Sequence, residues 1–252
     1  MKYAVVTGTT RGLGASLSKK MIKEGVHLIS VSRSENDELK VLAKEWKVTY
    51  RHYFCDLLKT DEIENVFHTI FNDLHQQKAE TIYVVNNAGV VEPIDTVGRL
   101  NNKDIKRSFD INVVSPVIIA NVSIQKANEY GMKLTIANIT SGAGSRPIHG
   151  WSVYGSTKAA INLFTQVTSV ELTNQQLPHR MVALSPGVMD TDMQDVIRSS
   201  SKEAFIDVST YRHYKEQGML RHPAQVAEAF VTLLLSGNFT SGRIYHVREL
   251  EL

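Results

Sequence analysis

Thr7-Gly8-Thr9-Thr10-Arg11-Gly12-Leu13-Gly14 follows the apolar run Tyr3-Ala4-Val5-Val6 and precedes a segment with helical periodicity. When a strand turns sharply into a helix over glycines, the free N–H groups at the helix start can approach a phosphate, because no side chain blocks them. The glycine spacing is G-x-x-x-G-x-G, not the more familiar G-x-G-x-x-G. Glycines also occur simply to permit tight turns. The prediction of a dinucleotide-binding turn therefore depends on the flanking strand and helix as well.

Short apolar runs alternate with longer helical segments through most of the chain. The first and fourth runs have no polar alternation, which is typical of strands covered on both faces of a parallel sheet. The strand candidates are Tyr3–Thr7, His27–Ser32, Val48–Phe54, Ile82–Val85, Leu134–Ile139, Met181–Leu184 and Ile244–Val247. Alternating β and α units predict an α/β protein with a single-domain Rossmann fold over residues 1–252. The expected sheet is doubly wound, mostly parallel and seven-stranded, with helices on both faces.

The sequence predicts two helices with clear boundaries and one segment without a regular pattern. The clearest helix spans Asp61–Gln77, with Thr60 placed to cap its N-terminus. The first helix ends at Gly25, and its predicted buried residues are Leu13, Leu17, Met21 and Ile22. The stretch 190–217 is the least regular part of the chain. It is predicted to be a loop or helical insertion on the substrate side.

Composition limits the classes of function. The net charge of the 252 residues is only +2, which disfavours nucleic acid or membrane binding. No apolar stretch approaches the roughly 20 residues needed to span a bilayer. The single cysteine, Cys55, cannot form an internal disulfide and is expected to be a small buried hydrophobe. The chain runs directly into its first strand without a leader-like segment, so the sequence predicts a cytoplasmic protein. No metal site is predicted.

The second predicted strand ends at Ser32-Arg33, where the choice between two nicotinamide dinucleotides is normally made. An acidic residue at this place binds the ribose 2′-hydroxyl of NAD, whereas an arginine accommodates a 2′-phosphate. Arg33, with Arg11 as a second guanidinium and Ser32 as a further donor, therefore favours NADP(H). The alternative is that both arginines are ordinary surface residues.

The pattern Y-x-x-x-K occurs twice, as Tyr154/Lys158 and as Tyr211/Lys215. Tyr154 and Lys158 are one helical turn apart near the start of an apolar-faced helix, so both project from the same side. Ser141 precedes them at the end of a strand, the edge where ligands bind in such sheets. The second pair lies in the irregular segment without such a serine. It is predicted to be surface or lid material.

Further motifs follow the glycine turn in a constant order. They are Asn86-Asn87-Ala88-Gly89, Asn112 within Asp110-Ile111-Asn112-Val113, Ser141, Tyr154-x-x-x-Lys158, and Pro186-Gly187 with Thr191. Together with residues 7–14 they resemble the short-chain dehydrogenase/reductase family over residues 3 to about 192. Within that family, residues 141–144, 149–151 and 190–200 resemble the sepiapterin-reductase-like branch and its bacterial benzil reductases, which form (S)-benzoin.

Reduction of a carbonyl needs a hydride, a proton donor and a group that holds the oxygen. A free phenol has a pKa of about 10, and a neighbouring ammonium lowers it. We therefore expect Lys158 to lower the pKa of Tyr154, which is the predicted general acid. Ser141 is expected to hydrogen-bond the same substrate oxygen. The resemblance further implies that Lys158 holds the nicotinamide ribose hydroxyls and that Asn112 keeps a water for proton relay.

The predicted NADP(H) site comprises the residues that these motifs supply. It contains Gly8, Thr10, Arg11, Gly12, Leu13, Gly14, Ser32, Arg33, Asp56, Asn87, Ala88, Gly89, Tyr154, Lys158, Pro186, Gly187, Met189 and Thr191. By resemblance Asp56 bonds the adenine amino group, although a turn role is the alternative. Asn86 is expected to tie strands together. Met189 replaces the family's usual Val or Ile, and its backbone N–H is expected to serve the carboxamide.

The substrate side is predicted from residues that flank the catalytic positions. They are His149, Trp151, Val153, Val188 and Met193, with ordinary packing as the alternative. For His149 a cap or surface role is the default. The expected activity is NADPH-dependent reduction of a small, largely apolar ketone or α-diketone such as benzil. The alternatives are a pteridine reductase, another NADP-dependent alcohol dehydrogenase, or a non-catalytic NADP-binding regulatory protein. The resemblance also implies a homodimer through helices around 101–127 and 152–173.

Overall fold

The computed structural model describes residues 1–250 as a seven-stranded sheet with helices on both faces. Positions 251 and 252, the end of the predicted domain, lie outside the described residues. The strands are β1 Lys2–Thr7, β2 His27–Ser32, β3 Tyr50–Phe54, β4 Thr81–Asn86, β5 Lys133–Ile139, β6 Arg180–Ser185 and β7 Ile244–His246. Their order is β3-β2-β1-β4-β5-β6-β7, and every neighbouring pair is parallel. The predicted doubly wound Rossmann-type sheet is confirmed.

The helices lie on both faces of this sheet, as predicted. They are α1 Gly12–Lys23, α2 Asp37–Glu45, α3 Thr60–Gln76, α4 Asn102–Phe109, α5 Ser115–Glu129, α6 Ser152–Asn174, α7 Asp192–Ser199, α8 Val208–Glu216 and α9 Pro223–Ser236. Helices α1, α2 and α9 pack on one face of the sheet, while α3 and α5 pack on the other. Each face of the sheet is therefore buried, which explains why the central strands have no polar alternation.

The sequence predicted α1 accurately. All four residues expected to face inward are buried, and Gly25 follows the helix with a φ of +73°. This left-handed backbone conformation is the one for which glycine is preferred after a helix.

The start of α3 and the start of β3 differ from the prediction. Thr60 is not the N-cap, because the helix begins at Thr60 itself and Lys59 precedes it without a side-chain cap. The Lys59 amide donates to the Asp56 carbonyl at 2.9 Å, so the turn before α3 brings the chain into the helix one residue early. Strand β3 begins at Tyr50 instead of Val48, because the Val48 amide donates to the Ala43 carbonyl and closes the end of α2.

The parallel arrangement brings the carboxyl ends of all strands to one edge. The strand order reverses between β1 and β4, and in open α/β sheets ligands bind in the crevice at such a point. The predicted insertion at 190–217 folds into α7 and α8. Its apolar residues form a separate small core with Trp151 and Tyr154. The insertion therefore covers the side of the crevice that contains the catalytic candidates.

Within residues 1–250, no helix combines the length and apolar character needed to cross a membrane. In the same range, no group of three or more His, Cys, Asp or Glu side chains is arranged to hold a metal ion. Cys55 is buried and free, and burial raises the pKa of its thiol to about 11. It is therefore a small apolar core residue, as predicted.

Candidate active site

A cleft of about 880 Å³ opens at the carboxyl edge of the sheet. The structure brings all eighteen residues of the predicted cofactor site into its wall, together with Ser141. They come from the glycine turn, the ends of β2, β3 and β4, the start of α6 and the loop after β6. Residues that are up to about 180 positions apart in the sequence thus share one cavity.

The glycine turn has the geometry that the sequence predicted. Gly8 and Gly12 have φ values of +70° and +58°, which side chains rarely adopt. Gly14 is required for a different reason, because a Cβ atom there would lie 2.1 Å from the Gly8 carbonyl oxygen. A larger residue at position 14 would therefore push α1 away from the end of β1.

Two asparagine side chains hold the turn in place. The Asn87 amide donates to the carbonyls of Thr7 and Gly8, at 2.9 and 3.2 Å. The Asn36 amide donates to the carbonyls of Thr9 and Thr10, both at 3.2 Å. The role of Asn36 was not predicted from the sequence, although its position as the N-cap of α2 was a usable signal.

The start of α1 fits the pyrophosphate of a dinucleotide. Arg11 occupies the N-cap position in an extended conformation, and no side chain caps the helix. The N–H groups of the first helical turn therefore have no side-chain acceptor, while Gly12 and Leu13 border the cleft. Backbone donors combined with the positive end of the helix dipole favour an anion at this point.

The three side chains predicted to bind a 2′-phosphate differ in whether they already have a partner within the protein. Arg33 is exposed, borders the cleft and forms no ion pair with any residue from 1 to 250. Arg11 forms an ion pair of 2.7 Å with Asp192, and the Ser32 hydroxyl donates to the Ser34 carbonyl at 2.7 Å. The prediction of Ser32 as a phosphate donor is thus not supported, since its proton is engaged within the loop.

Asp56 and one residue that was not predicted from the sequence also border the cleft. Asp56 borders the cleft, and its Oδ1 accepts a hydrogen bond of 3.1 Å from the Leu58 amide, which is the turn role that the sequence left open. Arg107 of α4 also borders the cleft. In the sequence it resembles any charged residue on a helix, so only the packing of α4 reveals its position.

Asn86 is the last residue of β4 and does not border the cleft. Its side-chain amide donates to Asn138 Oδ1 at 2.9 Å, which links β4 to β5 as predicted.

Ser141, Tyr154 and Lys158 converge on one wall of the cleft. Ser141 follows β5 and caps a short 3₁₀ turn, with its Oγ accepting a hydrogen bond of 3.2 Å from the Ala143 amide. Tyr154 and Lys158 lie in the first two turns of α6. A Cβ atom on Gly144 would lie 2.7 Å from the backbone of Lys158, so this glycine allows the serine turn to pack against α6.

Burial controls the protonation of the catalytic candidates. Lys158 is 6% exposed, and its Nζ donates to the Ile139 carbonyl at 2.9 Å. Burial lowers the pKa of this ammonium to about 8. Tyr154 is 7% exposed, and burial raises the pKa of its phenol, while Ser141 acts in the opposite direction.

The expected lowering of the Tyr154 pKa by Lys158 is thus not found, because burial raises the pKa of this phenol. The ammonium lies 5.7 Å from the centroid of the phenol ring and is directed to the Ile139 carbonyl. Loss of hydration has the larger effect on the phenol, because burial disfavours the charged phenolate. Tyr154 is consequently held in its protonated form.

Asn112 lies in a five-residue π-helical turn, Asp110–Val114, between α4 and α5. Its Oδ1 accepts from the Val90 amide at 2.9 Å, and its Nδ2 donates to the Val90 carbonyl at 2.8 Å. A Cβ atom on Gly89 would lie 3.1 Å from Asn112 Oδ1 and 3.6 Å from Lys158 Nζ. Asn112 therefore fixes the loop beside Lys158. Such π-turns are often found at functional sites.

The predicted substrate residues separate into two groups. Trp151, Val188 and Met193 line the cleft, whereas Val153 is buried outside its wall. His149 is exposed and outside the cleft, and its Nδ1 accepts a hydrogen bond of 3.3 Å from the Ile206 amide. The surface role that was the default for His149 agrees with this position, and its substrate role is not supported.

An aromatic wall, consisting of Trp151, Phe205 and Tyr211, lies next to Tyr154. Trp151 stacks on Phe205 with a centroid distance of 4.9 Å, and its ring is 5.3 Å from Tyr154 and 5.6 Å from Tyr211. Of the two roles predicted for Tyr211, surface or lid, its position agrees with the lid, because Tyr211 is 8% exposed and borders the cleft. The irregular spacing of apolar residues in this segment hid its inward face.

Lys215, the partner of Tyr211 in the second Y-x-x-x-K pattern, does lie on the surface. Its Nζ is 2.8 Å from both carboxylate oxygens of Asp190. This ion pair connects α8 to the loop after β6, so the second pair belongs to the lid over the cleft.

This chain is similar to known proteins in both sequence and fold. The model of the short chain dehydrogenase family matches residues 2–202. Two benzil reductases described as (S)-benzoin forming are similar over 99% of this chain. The Bacillus cereus protein is 33% identical over its entire length, and that of Bacillus subtilis strain 168 is 34% identical over 99% of its length. The crystal structure of the KRED1-Pglu enzyme has a TM-score of 0.82 and 26% identity, covering 97% of this chain and 100% of its own.

Proposed function

Since this chain belongs to the short-chain dehydrogenase family, we propose that it is an NADPH-dependent reductase of small, largely apolar ketones or α-diketones such as benzil. The observation that carries this proposal is the convergence of Ser141, Tyr154 and Lys158 on the cleft that also contains the glycine turn. Nucleotide-binding features and acid–base groups in one cavity are what a carbonyl reductase requires.

The nicotinamide supplies the hydride when NADPH is bound. As the carbonyl is reduced to the alcohol, the Tyr154 phenol would donate its proton to the oxygen of the substrate. Ser141 accepts a hydrogen bond from the Ala143 amide, which leaves its own O–H free to donate to the same substrate oxygen. Both groups thus stabilise the charge that develops on that oxygen.

The buried environment suits this direction of reaction. Burial raises the pKa of Tyr154, so the phenol keeps the proton that it must donate. The pKa of Lys158 is lowered to about 8, so the ammonium form still predominates near neutral pH and can donate to ribose hydroxyls. Asn112 keeps the Val90 loop beside Lys158, and we propose that it also retains a water for proton relay.

The preference for NADP(H) rests on Arg33. This guanidinium is exposed at the end of β2, borders the cleft and has no acidic partner among residues 1–250. A 2′-phosphate would provide that partner through charge-assisted hydrogen bonds. Arg11 already pairs with Asp192, so we assign it the smaller contribution.

The substrate class is supported by the apolar and aromatic residues of the cleft. Trp151, Met189 and Met193 border the cleft and suit an aryl group better than a sugar or a charged acid. The two similar benzil reductases point in the same direction. The pteridine reductase remains the second candidate enzyme. A non-catalytic cofactor-binding protein is disfavoured because Ser141, Tyr154 and Lys158 are all in place.

A homodimer is part of this proposal. Leu163, Val167 and Val170 lie on α6 with exposed fractions of 61%, 47% and 59%. Apolar side chains clustered on one surface are typical of a protein interface. Light scattering coupled to size exclusion should give twice the chain mass of 28.2 kDa, and a monomer at micromolar concentration would reject this part of the proposal.

The test is to follow NADPH absorbance with benzil, a pteridine and simple aldehydes as substrates. We expect the wild type to reduce benzil and the Tyr154→Phe variant to lose at least about 100-fold in kcat, the usual scale of general acid catalysis. NADPH binding to the variant, measured by nucleotide fluorescence, should persist. No oxidation of NADPH with any carbonyl would favour the binding-protein alternative, and wild-type rates in Tyr154→Phe would reject the mechanism.

A further inference from the structure

Tyr211 brings a second phenol to the substrate side of the cleft. Its side chain is 8% exposed, and it lies in the cleft wall that also contains Tyr154. Its hydroxyl forms no hydrogen bond with any residue from 1 to 250. The hydroxyl oxygen is also not one of the fully buried polar atoms that lack a hydrogen-bond partner. The hydroxyl oxygen therefore keeps some accessible surface, and the residue that carries it borders the cleft.

The ring of Tyr211 is fixed by aromatic contacts. Its centroid is 5.6 Å from that of Trp151 and 5.3 Å from that of Phe205. Trp151 contacts Tyr154 as well, at a centroid distance of 5.3 Å, so both phenol rings pack against the same indole. A rigid ring loses little conformational entropy when its hydroxyl binds a ligand, which makes it an efficient donor.

We propose that Tyr211 donates a hydrogen bond to a second oxygen of the substrate, adjacent to the carbonyl that Tyr154 and Ser141 bind. This inference rests on the proposed function and deepens it. The site then selects vicinal dioxygenated substrates, namely α-diketones and α-hydroxy ketones, over simple ketones of the same shape. A substrate without the second oxygen would leave the phenol without an acceptor in a confined site, and enzymes discriminate strongly on that basis.

The protonation state of Tyr211 agrees with the role of donor. Burial raises the pKa of this phenol to about 12, so it keeps its proton throughout the neutral range. The indole N–H of Trp151 is a less suitable donor, because its nitrogen is buried away from solvent without a hydrogen-bond partner. A ligand could reach it only after the aromatic wall had moved.

The experiment compares two ketones that differ only in the second oxygen. Benzil has two adjacent carbonyls, and deoxybenzoin has a methylene group in place of one of them. Tyr211→Phe removes a single oxygen atom and keeps the ring contacts. We expect this substitution to lower kcat/KM about tenfold for benzil and less than about twofold for deoxybenzoin, the scale of one neutral hydrogen bond. Much of the loss should appear as a higher KM.

Tyr214→Phe is the matched control. Tyr214 is on the same helix and contacts Tyr211 at a centroid distance of 5.9 Å, but it does not border the cleft. Its substitution should leave kcat/KM for both ketones unchanged. Thermal unfolding of the wild type and both variants shows whether each protein is folded. The ratio of kcat/KM for benzil to kcat/KM for deoxybenzoin does not depend on the fraction of active enzyme, so a uniform loss of active protein does not change it.

The possible failures are distinguishable. Equal losses for benzil and deoxybenzoin in Tyr211→Phe, or no loss for either, would overturn the role of Tyr211 and leave the reductase intact. Absence of turnover of both ketones by the wild type would overturn the proposed function, and this inference with it.

Discussion

The ammonium of Lys158 donates a hydrogen bond of 2.9 Å to the backbone carbonyl of Ile139. This contact joins the second turn of α6 to the last residue of β5, two residues before Ser141 in the chain. It therefore fixes the distance between the helix that carries Tyr154 and the strand end that carries Ser141. The same contact places a charged group where only 6% of it is exposed.

Replacing Lys158 by methionine should stabilise the cofactor-free protein. The pKa of Lys158 is lowered to about 8 in the folded state from an ordinary 10.5, so the unfolded chain binds more protons between these values. Wild-type stability should therefore rise with pH through that window relative to the variant. At pH 7 we expect Lys158→Met to be about 1–3 kcal/mol more stable, and the difference should shrink by pH 10. Urea unfolding at several pH values measures this.

The control for that experiment is Lys44→Met, since Lys44 is exposed on α2 and forms no ion pair within residues 1–250. It should change the free energy of unfolding by less than about 0.5 kcal/mol. A Lys158→Met variant that is less stable than the wild type at pH 7 would show that the bond to Ile139 outweighs the cost of burial.

Asn112→Ala should reduce stability as well as activity. The side chain satisfies both the amide and the carbonyl of Val90, and leaving them unpaired costs about 1–3 kcal/mol. Chemical unfolding and steady-state kinetics on the same preparation test this. Asn174→Ala, at the exposed end of α6, should change neither. Reduced activity with unchanged stability would mean that Asn112 acts only on the bound water or substrate.

Gly14→Ala should weaken binding of the dinucleotide. The new methyl group would lie 2.1 Å from the Gly8 carbonyl oxygen, so α1 or the turn must shift. Overpacking of this kind typically costs about 1–3 kcal/mol. We expect at least a tenfold rise in the Kd of NADPH, measured by fluorescence titration, together with a lower Tm.

Gly142→Ala is the control for folding, because a Cβ atom there would meet nothing within 4 Å. Its Tm should remain close to that of the wild type. If Gly14→Ala bound NADPH with unchanged affinity, the close approach of α1 to β1 would not be needed for the cofactor.

Arg33→Ala should reduce the preference for NADPH over NADH. Loss of charge-assisted hydrogen bonds costs about 1.5–3 kcal/mol, which corresponds to a decrease of at least about tenfold in the ratio of kcat/KM values. Lys40→Ala removes an exposed cation from the adjacent helix and should leave the ratio unchanged. Arg11→Ala should have the smaller effect, since Arg11 is paired with Asp192. An unchanged ratio in Arg33→Ala would show that this guanidinium does not bind the phosphate.

The sequence by itself determined the layers of the fold and most of the cleft. Strands buried on both faces are continuous apolar runs, and glycines at 8, 12 and 14 are required by backbone geometry, so both leave a direct local signature. The order of motifs along the chain also predicted Tyr154/Lys158, and not Tyr211/Lys215, as the catalytic pair, and the structure places both Tyr154 and Lys158 at the cleft but only Tyr211 of the second pair.

Only the tertiary structure decided how strongly each group is buried and what else it contacts. It showed that burial, and not Lys158, dominates the pKa of Tyr154. It also showed that the Ser32 hydroxyl is engaged with Ser34, and that Tyr211 faces the cleft and not the solvent. These properties depend on contacts between distant segments, whereas a sequence pattern reports only the periodicity of one segment at a time.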